Sequence, residues 1–245
     1  MTARKSGGVK DTIRTLVYAI AIALFVRTFA YEPFNIPSGS MKPTLLVGDY
    51  LFVSKFAYGY SRYSLPLSLP LFSGRIFGSL PERGDVAVFK LPTDNKTDYI
   101  KRIVGLPGDR LQVINGILHI NGVAADLVPV DPFIDDMDGR QGAIDRFAET
   151  LPGADRQHFI LDLTQQGRLD NTGVFEVPAD HVFAMGDNRD NSLDSRTDAV
   201  GYIPIENLIG RAEIMMFSVN GSARIWEPWK WPWAIRYDRI FKRIV

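Results

Sequence analysis

The N-terminal apolar segment constrains the possible fold most strongly, because a continuous run of this kind has to meet lipid or a buried core. Residues 12–31 form a 20-residue stretch whose charged side chains are Arg14 and Arg27, both near its ends. Such a length suffices for a helix to cross a bilayer, and long arginine side chains near the ends can reach the polar interface. The sequence therefore predicts a single transmembrane anchor at residues 12–31.

The charges before this segment predict its orientation. Residues 1–11 carry three basic side chains and one acidic side chain. By the positive-inside rule these residues are cytoplasmic, and residues 32–245 lie on the other side of the membrane. Two alternatives remain for the segment itself. A basic start and a short apolar run are also typical of a cleaved secretory signal, and a buried core helix is the third interpretation.

The composition excludes several functional classes. The chain has no Cys, so it cannot form disulfides, thiolate zinc sites, iron–sulfur clusters or a cysteine nucleophile. Its three His residues are scattered without an HExxH spacing, which argues against a histidine metal site. The formal net charge of +0 gives no overall basic field for nucleic acid. A hydrolase of this composition has to use hydroxyls, carboxylates or an amine.

The zero net charge conceals a strong asymmetry along the chain. Residues 1–121 hold 15 basic and 8 acidic side chains, residues 122–198 hold 6 and 16, and residues 199–245 hold 7 and 4. The acidic middle is interpreted either as a solvated insertion or as the part that points away from anionic lipid while the basic ends approach it.

Patterns beyond residue 31 predict β-structure. Residues 85–89 and 99–104 are short, rich in β-branched and aromatic side chains and followed by turn signals. Residues 111–120 place Asn115-Gly116 between two apolar runs, which predicts a hairpin. Further strands are predicted at residues 175–185 and 209–218. Residues 123–174 are acidic and weakly periodic, so we expect a mainly β, antiparallel body with one peripheral insertion at about 123–174.

Two apolar segments have no obvious place in this body. Residues 64–72 (SLPLSLPLF) contain prolines that oppose a regular helix or a central strand. They predict either a loop that dips into the membrane or a cover over the core. Residues 225–233 (IWEPWKWPW) hold all 4 Trp and precede a basic tail. Their interpretation is open between the membrane interface and packing against the core.

Three stretches are candidates for chemistry. Ser38-Gly39-Ser40 places hydroxyls and backbone N–H groups on a bend, as a nucleophile with an oxyanion site requires. Lys101 lies inside an apolar strand, where a buried amine would lose its proton easily, although this stretch alone favours a surface lysine on a half-exposed strand. Residues 186–196 (GDNRDNSLDSR) form a polar loop without the EF-hand alternation, and a pairing of Asp194 with Arg196 fits it.

These stretches occur in a distinctive order. SGSM at 38–41 is followed by RGDVAVFK at 83–90, YIKRIVGLPGD at 99–109 and GDNRDNSLDSR at 186–196, all behind the N-terminal span. The ordered blocks resemble those of bacterial type I signal peptidase, over about residues 34–196. The anchor departs from one known form of that family, because one span is found rather than two.

The resemblance implies a membrane-bound serine protease of the bacterial inner membrane, with its catalytic domain on the periplasmic side. Ser40 matches the nucleophile and Lys101 the general base, while Ser38 and the backbone N–H of Ser40 match the oxyanion hole. The orienting and supporting positions are Ser192, Asp187, Asp194, Arg196 and Gly186. The substrate-binding positions are Phe34, Ile36, Pro37, Met41, Leu45, Tyr99 and Ile100.

The implied substrates are secretory preproteins cleaved after small-x-small sites, with the phospholipid membrane as a further partner and with no metal, organic cofactor or nucleic acid. Two other functions remain open at the sequence level. One is a specialised serine/lysine processing protease of a pilus or conjugation system. The other is a non-catalytic, membrane-tethered β module that binds a partner protein.

Overall fold

The computed structural model describes residues 8–65, 68–135, 142–164, 166–223 and 226–245. It begins with helix α1, Val9–Phe29, none of whose residues is buried. Within the described residues this is the helix long and apolar enough to cross a membrane, and it fits a membrane anchor. Its last turn is fixed to the following domain, because the Tyr60 hydroxyl donates a hydrogen bond of 2.7 Å to the Phe29 carbonyl.

The rest of the described chain is mainly β. The strands are β1 (Tyr31–Asn35), β2 (Asp49–Ser54), β3 (Val86–Lys90), β4 (Asp98–Gly105), β5 (Arg110–Ile114), β6 (Ile117–Ile120), β7 (Val123–Ala124), β8 (Asp126–Asp135), β9 (Gly142–Thr150), β10 (Gln157–Asp162), β11 (Phe175–Glu176), β12 (His181–Met185), β13 (Ile203–Pro204) and β14 (Leu208–Ser218). A one-turn helix, α2 (Trp231–Ala234), lies in the C-terminal segment.

The strands form three sheets. The largest has the order β1-β2-β14-β3-β4-β12-β13, and all its neighbouring strands are antiparallel. A second sheet has the order β11-β5-β6-β7 and a third the order β10-β9-β8. The prediction of a mainly β, antiparallel body behind one apolar N-terminal helix is confirmed.

The predicted hairpin is present between β5 and β6. Asn115 and Gly116 both have positive φ, 48° and 79°, as the two central residues of a type I′ turn require. The flanking strands pair in register, with Ile114 opposite Ile117. The local turn chemistry alone was therefore sufficient to locate this element.

The prediction of one strand at residues 175–185 is wrong in one respect. The chain forms two strands there, β11 and β12, which belong to different sheets. Pro178 has no N–H to donate to a ladder, and Asp180 has a φ of 59°, so the backbone turns between them.

The acidic insertion is a structured element. Strands β8, β9 and β10 form an antiparallel sheet of their own within residues 123–174. Their side chains alternate only in part between buried and exposed, which explains the weak periodicity of this stretch of sequence. At its β10 edge the sheet meets the polar loop 186–196 through a parallel bridge between Leu161 and Asn188.

Candidate active site

Ser40 lies in a turn immediately after β1, at the edge of the main sheet. Its side chain is buried, and its Oγ lies 3.5 Å from the Ser38 Oγ. The turn is held from the polar loop, where the Asn188 backbone N–H donates to the Ser40 carbonyl at 3.1 Å and the Asn188 Nδ2 donates to the Gly39 carbonyl at 3.1 Å. Two hydrogen bonds from one residue therefore fix the position of Ser40.

Lys101 projects from β4 towards this turn. Its Nζ is 2.8 Å from Ser40 Oγ and also donates to the Ile100 carbonyl at 3.0 Å. The side chain is only 4% exposed, and the Nζ lies 5.1 Å from the centre of the Tyr99 ring. The interpretation of Lys101 as a surface lysine is thus excluded by its burial.

The surroundings of Lys101 favour its neutral form. Burial lowers the pKa of Lys101 from 10.5 to about 8, because the charged ammonium loses its hydration. The carboxylates of Asp194 and Asp187 act in the opposite direction and raise the pKa, but they do not overcome the effect of burial. About half of the amine is therefore unprotonated near pH 8, and this neutral form can accept a proton.

The polar loop 186–196 is organised around a buried ion pair. Asp194 accepts from Arg196 Nε at 2.9 Å and from Arg196 Nη2 at 2.8 Å, and both side chains are almost completely buried. Asp194 also accepts the Gly186 backbone N–H at 3.0 Å. Burial raises the pKa of Asp194, but the Arg196 charge and these hydrogen bonds outweigh it, so the pKa is lowered and the carboxylate stays ionised.

Ser192 is placed differently from the orienting role that the resemblance implies. Its Oγ is buried in the loop but forms no hydrogen bond with Lys101 in the described part of the chain. The hydroxyl is near enough to Asp194 to help lower the pKa of that carboxyl, although it falls short of regular hydrogen-bond geometry. Ser192 packs against Gly186, where an added Cβ would lie 2.6 Å from the Ser192 Cβ.

Arg102 is a site residue that sequence reasoning missed. Side chains alternate between the two faces of a strand, so Arg102 is expected to face away from Lys101, and an arginine on that face is expected to be exposed to solvent. In the structure it is 1% exposed and forms a bidentate pair with Asp187, at 2.8 Å and 2.7 Å. Asp187 also accepts from the Thr44 hydroxyl at 2.5 Å. The sequence did contain one indication of this burial. Lys101 and Arg102 are adjacent in an otherwise apolar strand, as is possible when both faces of the strand are buried.

A cleft of about 690 Å³ opens beside Ser40 and Lys101. Of the predicted substrate-binding residues, those that line it are Phe34, Ile36, Pro37, Tyr99 and Ile100. Met41 and Leu45 are placed otherwise, because both are fully buried in the core cluster that also contains Ile36. Their side chains support the cleft wall from behind rather than forming its surface.

The arrangement provides the parts of a serine-based acyl-transfer site. A hydroxyl is hydrogen-bonded to an amine that loses its proton readily, and both lie on a cleft with apolar walls. The Ser40 backbone N–H makes no hydrogen bond within the described residues, so it is available to a developing oxyanion together with the Ser38 hydroxyl. Chemistry of this kind is typical of a serine hydrolase, and here it lies behind an apolar N-terminal helix.

Comparison with known proteins specifies the class further. The family model of signal peptidase, peptidase S26, matches residues 9–217. A signal peptidase I of Rickettsia typhi is 41% identical over 254 residues, covering 96% of this chain and 94% of the relative. A signal peptidase I of Rickettsia canadensis is 40% identical over 249 residues, covering 94% and 92%. The chain therefore belongs to the signal peptidase family, peptidase S26, and is a serine peptidase.

A solved structure is also similar in part. The crystal structure of a signal peptidase I from Enterococcus faecalis aligns at 22% identity and a TM-score of 0.31, covering 54% of this chain and 97% of that chain. The low score leaves the family assignment resting on the sequence matches.

Proposed function

We propose that this peptidase cleaves N-terminal signal peptides from exported preproteins, with Ser40 as nucleophile and Lys101 as general base. Membership of the signal peptidase family supports signal-peptide cleavage as the reaction. The observation that carries the assignment of residues is the 2.8 Å hydrogen bond between Lys101 Nζ and Ser40 Oγ, made by a lysine that is 4% exposed.

The proton transfer follows from the hydrogen bonds of the amine. A neutral Lys101 donates one proton to the Ile100 carbonyl, and its lone pair is left to accept the Ser40 hydroxyl proton. Ser40 Oγ then attacks the scissile carbonyl to form an acyl-enzyme. The resulting ammonium protonates the leaving amine of the mature protein, and Lys101 next deprotonates the water that hydrolyses the ester.

The negative charge of the tetrahedral intermediate needs donors on the opposite side of Ser40. The Ser40 backbone N–H and the Ser38 hydroxyl are the donors we propose, which is supported by the 3.5 Å separation of the two serine oxygens and by the position of both residues in the cleft lining. A donor of this kind contributes about 2.7–4 kcal/mol to transition-state stabilisation.

The cleft walls support a preference for small side chains before the scissile bond. Phe34, Ile36 and Pro37 on one side and Tyr99 and Ile100 on the other leave an apolar space beside the nucleophile. We propose that these walls admit alanine next to Ser40 and disfavour larger side chains, which would give cleavage after small-x-small sequences.

The location follows from the anchor. Helix α1 fits a single membrane span, and the basic residues before it support a cytoplasmic position of residues 1–11. We accordingly place the catalytic domain, residues 32–245, on the periplasmic side of a bacterial inner membrane, where exported preproteins emerge.

The proposal is tested with the full chain in detergent and a secretory preprotein bearing Ala-x-Ala. The parent should cleave it at that site, and Ser40→Ala and Lys101→Ala should each lose activity while keeping the folded far-UV circular dichroism spectrum. Equal activity in all three proteins would overturn the assignment of both residues. Absence of cleavage by a folded parent would overturn preprotein processing and favour a specialised protease or a binding module.

A further inference from the structure

The β8–β10 sheet of the acidic insertion is joined to the polar loop 186–196 by backbone hydrogen bonds. The Leu161 N–H of β10 donates to the Asp187 carbonyl at 2.9 Å, and the Arg189 N–H donates to the Leu161 carbonyl at 3.0 Å. The loop therefore lies between the insertion on one side and the Ser40 turn on the other, since Asn188 also holds the Ser40 carbonyl.

A buried charge cluster stands at this junction. Glu149 of β9 is 0% exposed and pairs through Oε2 with Arg189 Nη2 of the loop. The same carboxylate oxygen lies 2.9 Å from His158 Nε2 of β10. Arg189 Nε and Nη1 are buried and have no hydrogen-bond partner in the described part of the chain. Glu149 is consequently the acceptor that the Arg189 side chain uses.

Arg189 is connected in turn to the residues beside Lys101. Its carbonyl accepts from Arg196 Nη2 at 2.6 Å, and Arg196 forms the bidentate pair with Asp194. Asp194 fixes the Gly186 N–H and is the carboxylate that most strongly raises the pKa of Lys101. A series of short contacts thus leads from β9 to Asp194, whose charge acts on the proposed general base without a direct contact.

We infer that Glu149 is a positioning residue for the proteolytic reaction, acting through Arg189 on the loop that sets the geometry and the electrostatic environment of Ser40 and Lys101. The inference rests on the proposed function, because it takes Ser40 and Lys101 as the reacting groups. It assigns the insertion sheet a part in catalysis, which its position outside the sequence motifs does not indicate.

A second contact supports this role of the insertion. Lys42, two residues after Ser40, is buried and pairs with Asp135 at the end of β8 at 2.6 Å. The insertion sheet therefore holds the Ser40 turn directly through Lys42 and the polar loop through Glu149. The Ser40 turn and the polar loop, which Asn188 joins, are therefore both bound to the β8–β10 sheet.

The electrostatic effect of removing the Glu149 charge has a definite direction. Burial raises the pKa of Glu149, but the Arg189 charge and the His158 ring nitrogen 2.9 Å away lower it to about 2, so the carboxylate is ionised. The pKa of His158 is lowered by burial and by the charge of Arg102, so His158 is neutral where Lys101 titrates. Without the Glu149 charge, the carboxylates of Asp187 and Asp194 are the main negative charges that act on Arg189 within the described residues.

The pKa of Lys101 depends on the charges of Asp187 and Asp194. The groups that face it are Asp187, Asp194, the Tyr99 ring and the Ser40 hydroxyl. An unpaired Arg189 cation weakens the field of the carboxylates at Lys101 and lowers the pKa of the amine. The acidic limb of the pH profile then moves to lower pH, an effect that a general loss of stability does not produce.

The test compares Glu149→Gln with the parent, using the full chain in detergent and a peptide that contains an Ala-x-Ala site. We expect kcat to fall by about 10- to 100-fold with KM changed less than about twofold, since misplacement of reacting groups by about 1 Å has effects of this size. We also expect the acidic limb of kcat/KM to move down by about 0.5 pH unit. An unchanged kcat and an unchanged limb, in folded protein, would overturn the inference.

Asp109→Asn is the matched control. It unpairs Arg83 from Asp109, a pair of 2.9 Å whose side chains are each 11% exposed, without a hydrogen bond to the polar loop in the described residues. We expect this variant to have a lower melting temperature than the parent. Its kcat per folded molecule and the acidic limb of its pH profile should equal those of the parent. The same kinetic change in both variants would mean that unpairing any buried arginine produces it, and would overturn the specific role of Glu149.

If Glu149→Gln does not fold, Glu149→Asp tests the positioning role of Glu149 instead. The shorter side chain keeps the charge but withdraws from Arg189, so kcat should fall about threefold or more with the acidic limb unchanged. A folded Glu149→Asp with the parent kcat would overturn the inference. Activity that persists in Lys101→Ala would instead contradict the proposed function, so the two failures are distinguishable.

Discussion

Lys101 and Arg102 are consecutive basic residues of one strand. Both are buried, but their side chains have different neighbours. Lys101 forms no ion pair with a carboxylate of the described residues, and loss of hydration lowers its pKa to about 8. Arg102 forms a bidentate pair with the Asp187 carboxylate, at 2.8 Å and 2.7 Å. One side chain of the pair is suited to proton transfer and the other to holding the polar loop.

The Ser38 hydroxyl supplies a prediction at the scale of single residues. Ser38→Ala removes one proposed oxyanion donor, and kcat should fall by about 10²- to 10³-fold with little change in KM, because the donor acts on charge that develops in the transition state. Steady-state kinetics on the preprotein peptide measures both quantities. Ser38→Thr keeps a hydroxyl and serves as the control, which should retain most of the activity. Parent kcat in Ser38→Ala would exclude Ser38 from the oxyanion site.

At the scale of elements, the site depends on the close approach of the Ser40 turn to the start of the polar loop. Gly186 lies between them, and an added Cβ would be 2.6 Å from the Ser40 carbonyl oxygen and 2.6 Å from the Ser192 Cβ. Backbone on one side and a packed side chain on the other leave no room for it. Glycine at this position is thus a condition for the hydrogen bond between Asn188 and Ser40.

Gly186→Ala should separate the turn from the loop. We expect at least a 100-fold loss of kcat/KM, since displacements of about 1 Å have effects of this order. Gly173→Ala is the matched control, because nothing lies within 4 Å of a Cβ there and its backbone needs no positive φ. Cleavage of the peptide is measured for both, with circular dichroism as the check on folding. Equal activity of the two variants would contradict the close contact.

The elements differ in how far sequence predicts them. Asn115-Gly116 identified its hairpin because the turn depends on two adjacent residues. The proximity of Ser40 and Lys101 followed only from the resemblance, since 61 positions separate them and no local rule joins β1 to β4. Glu149 was not identifiable at all. Its function depends on Arg189, which reaches it only when β9 and the polar loop are already folded.

At the scale of the whole molecule, two apolar features extend from the folded domain. Helix α1 has no buried residue, and the C-terminal segment exposes Trp229 by 65% and Trp233 by 77%. Of the two interpretations of the Trp-rich segment, packing in the core does not match these exposures. Aromatic side chains beside a basic tail favour the membrane interface.

Intrinsic fluorescence tests this placement, because all 4 Trp of the chain lie in residues 226–233. In vesicles whose lipids carry brominated acyl chains, we expect strong quenching of the Trp emission relative to unbrominated vesicles. Trp229→Ser combined with Trp233→Ser should weaken the quenching, whereas Phe159→Ser, an exposed aromatic on the insertion, should leave it unchanged. Emission insensitive to bromine would place the segment away from the lipid.

The central claim is that a neutral Lys101 activates Ser40, and the pH dependence of kcat/KM tests it most directly. Only the unprotonated amine accepts the serine proton, so activity should rise about tenfold per pH unit below the lysine pKa and level off above it. With burial lowering the pKa of Lys101 to about 8, the account predicts a single acidic limb near pH 8. A limb in the histidine range near about 6.5, or activity independent of pH, would contradict it.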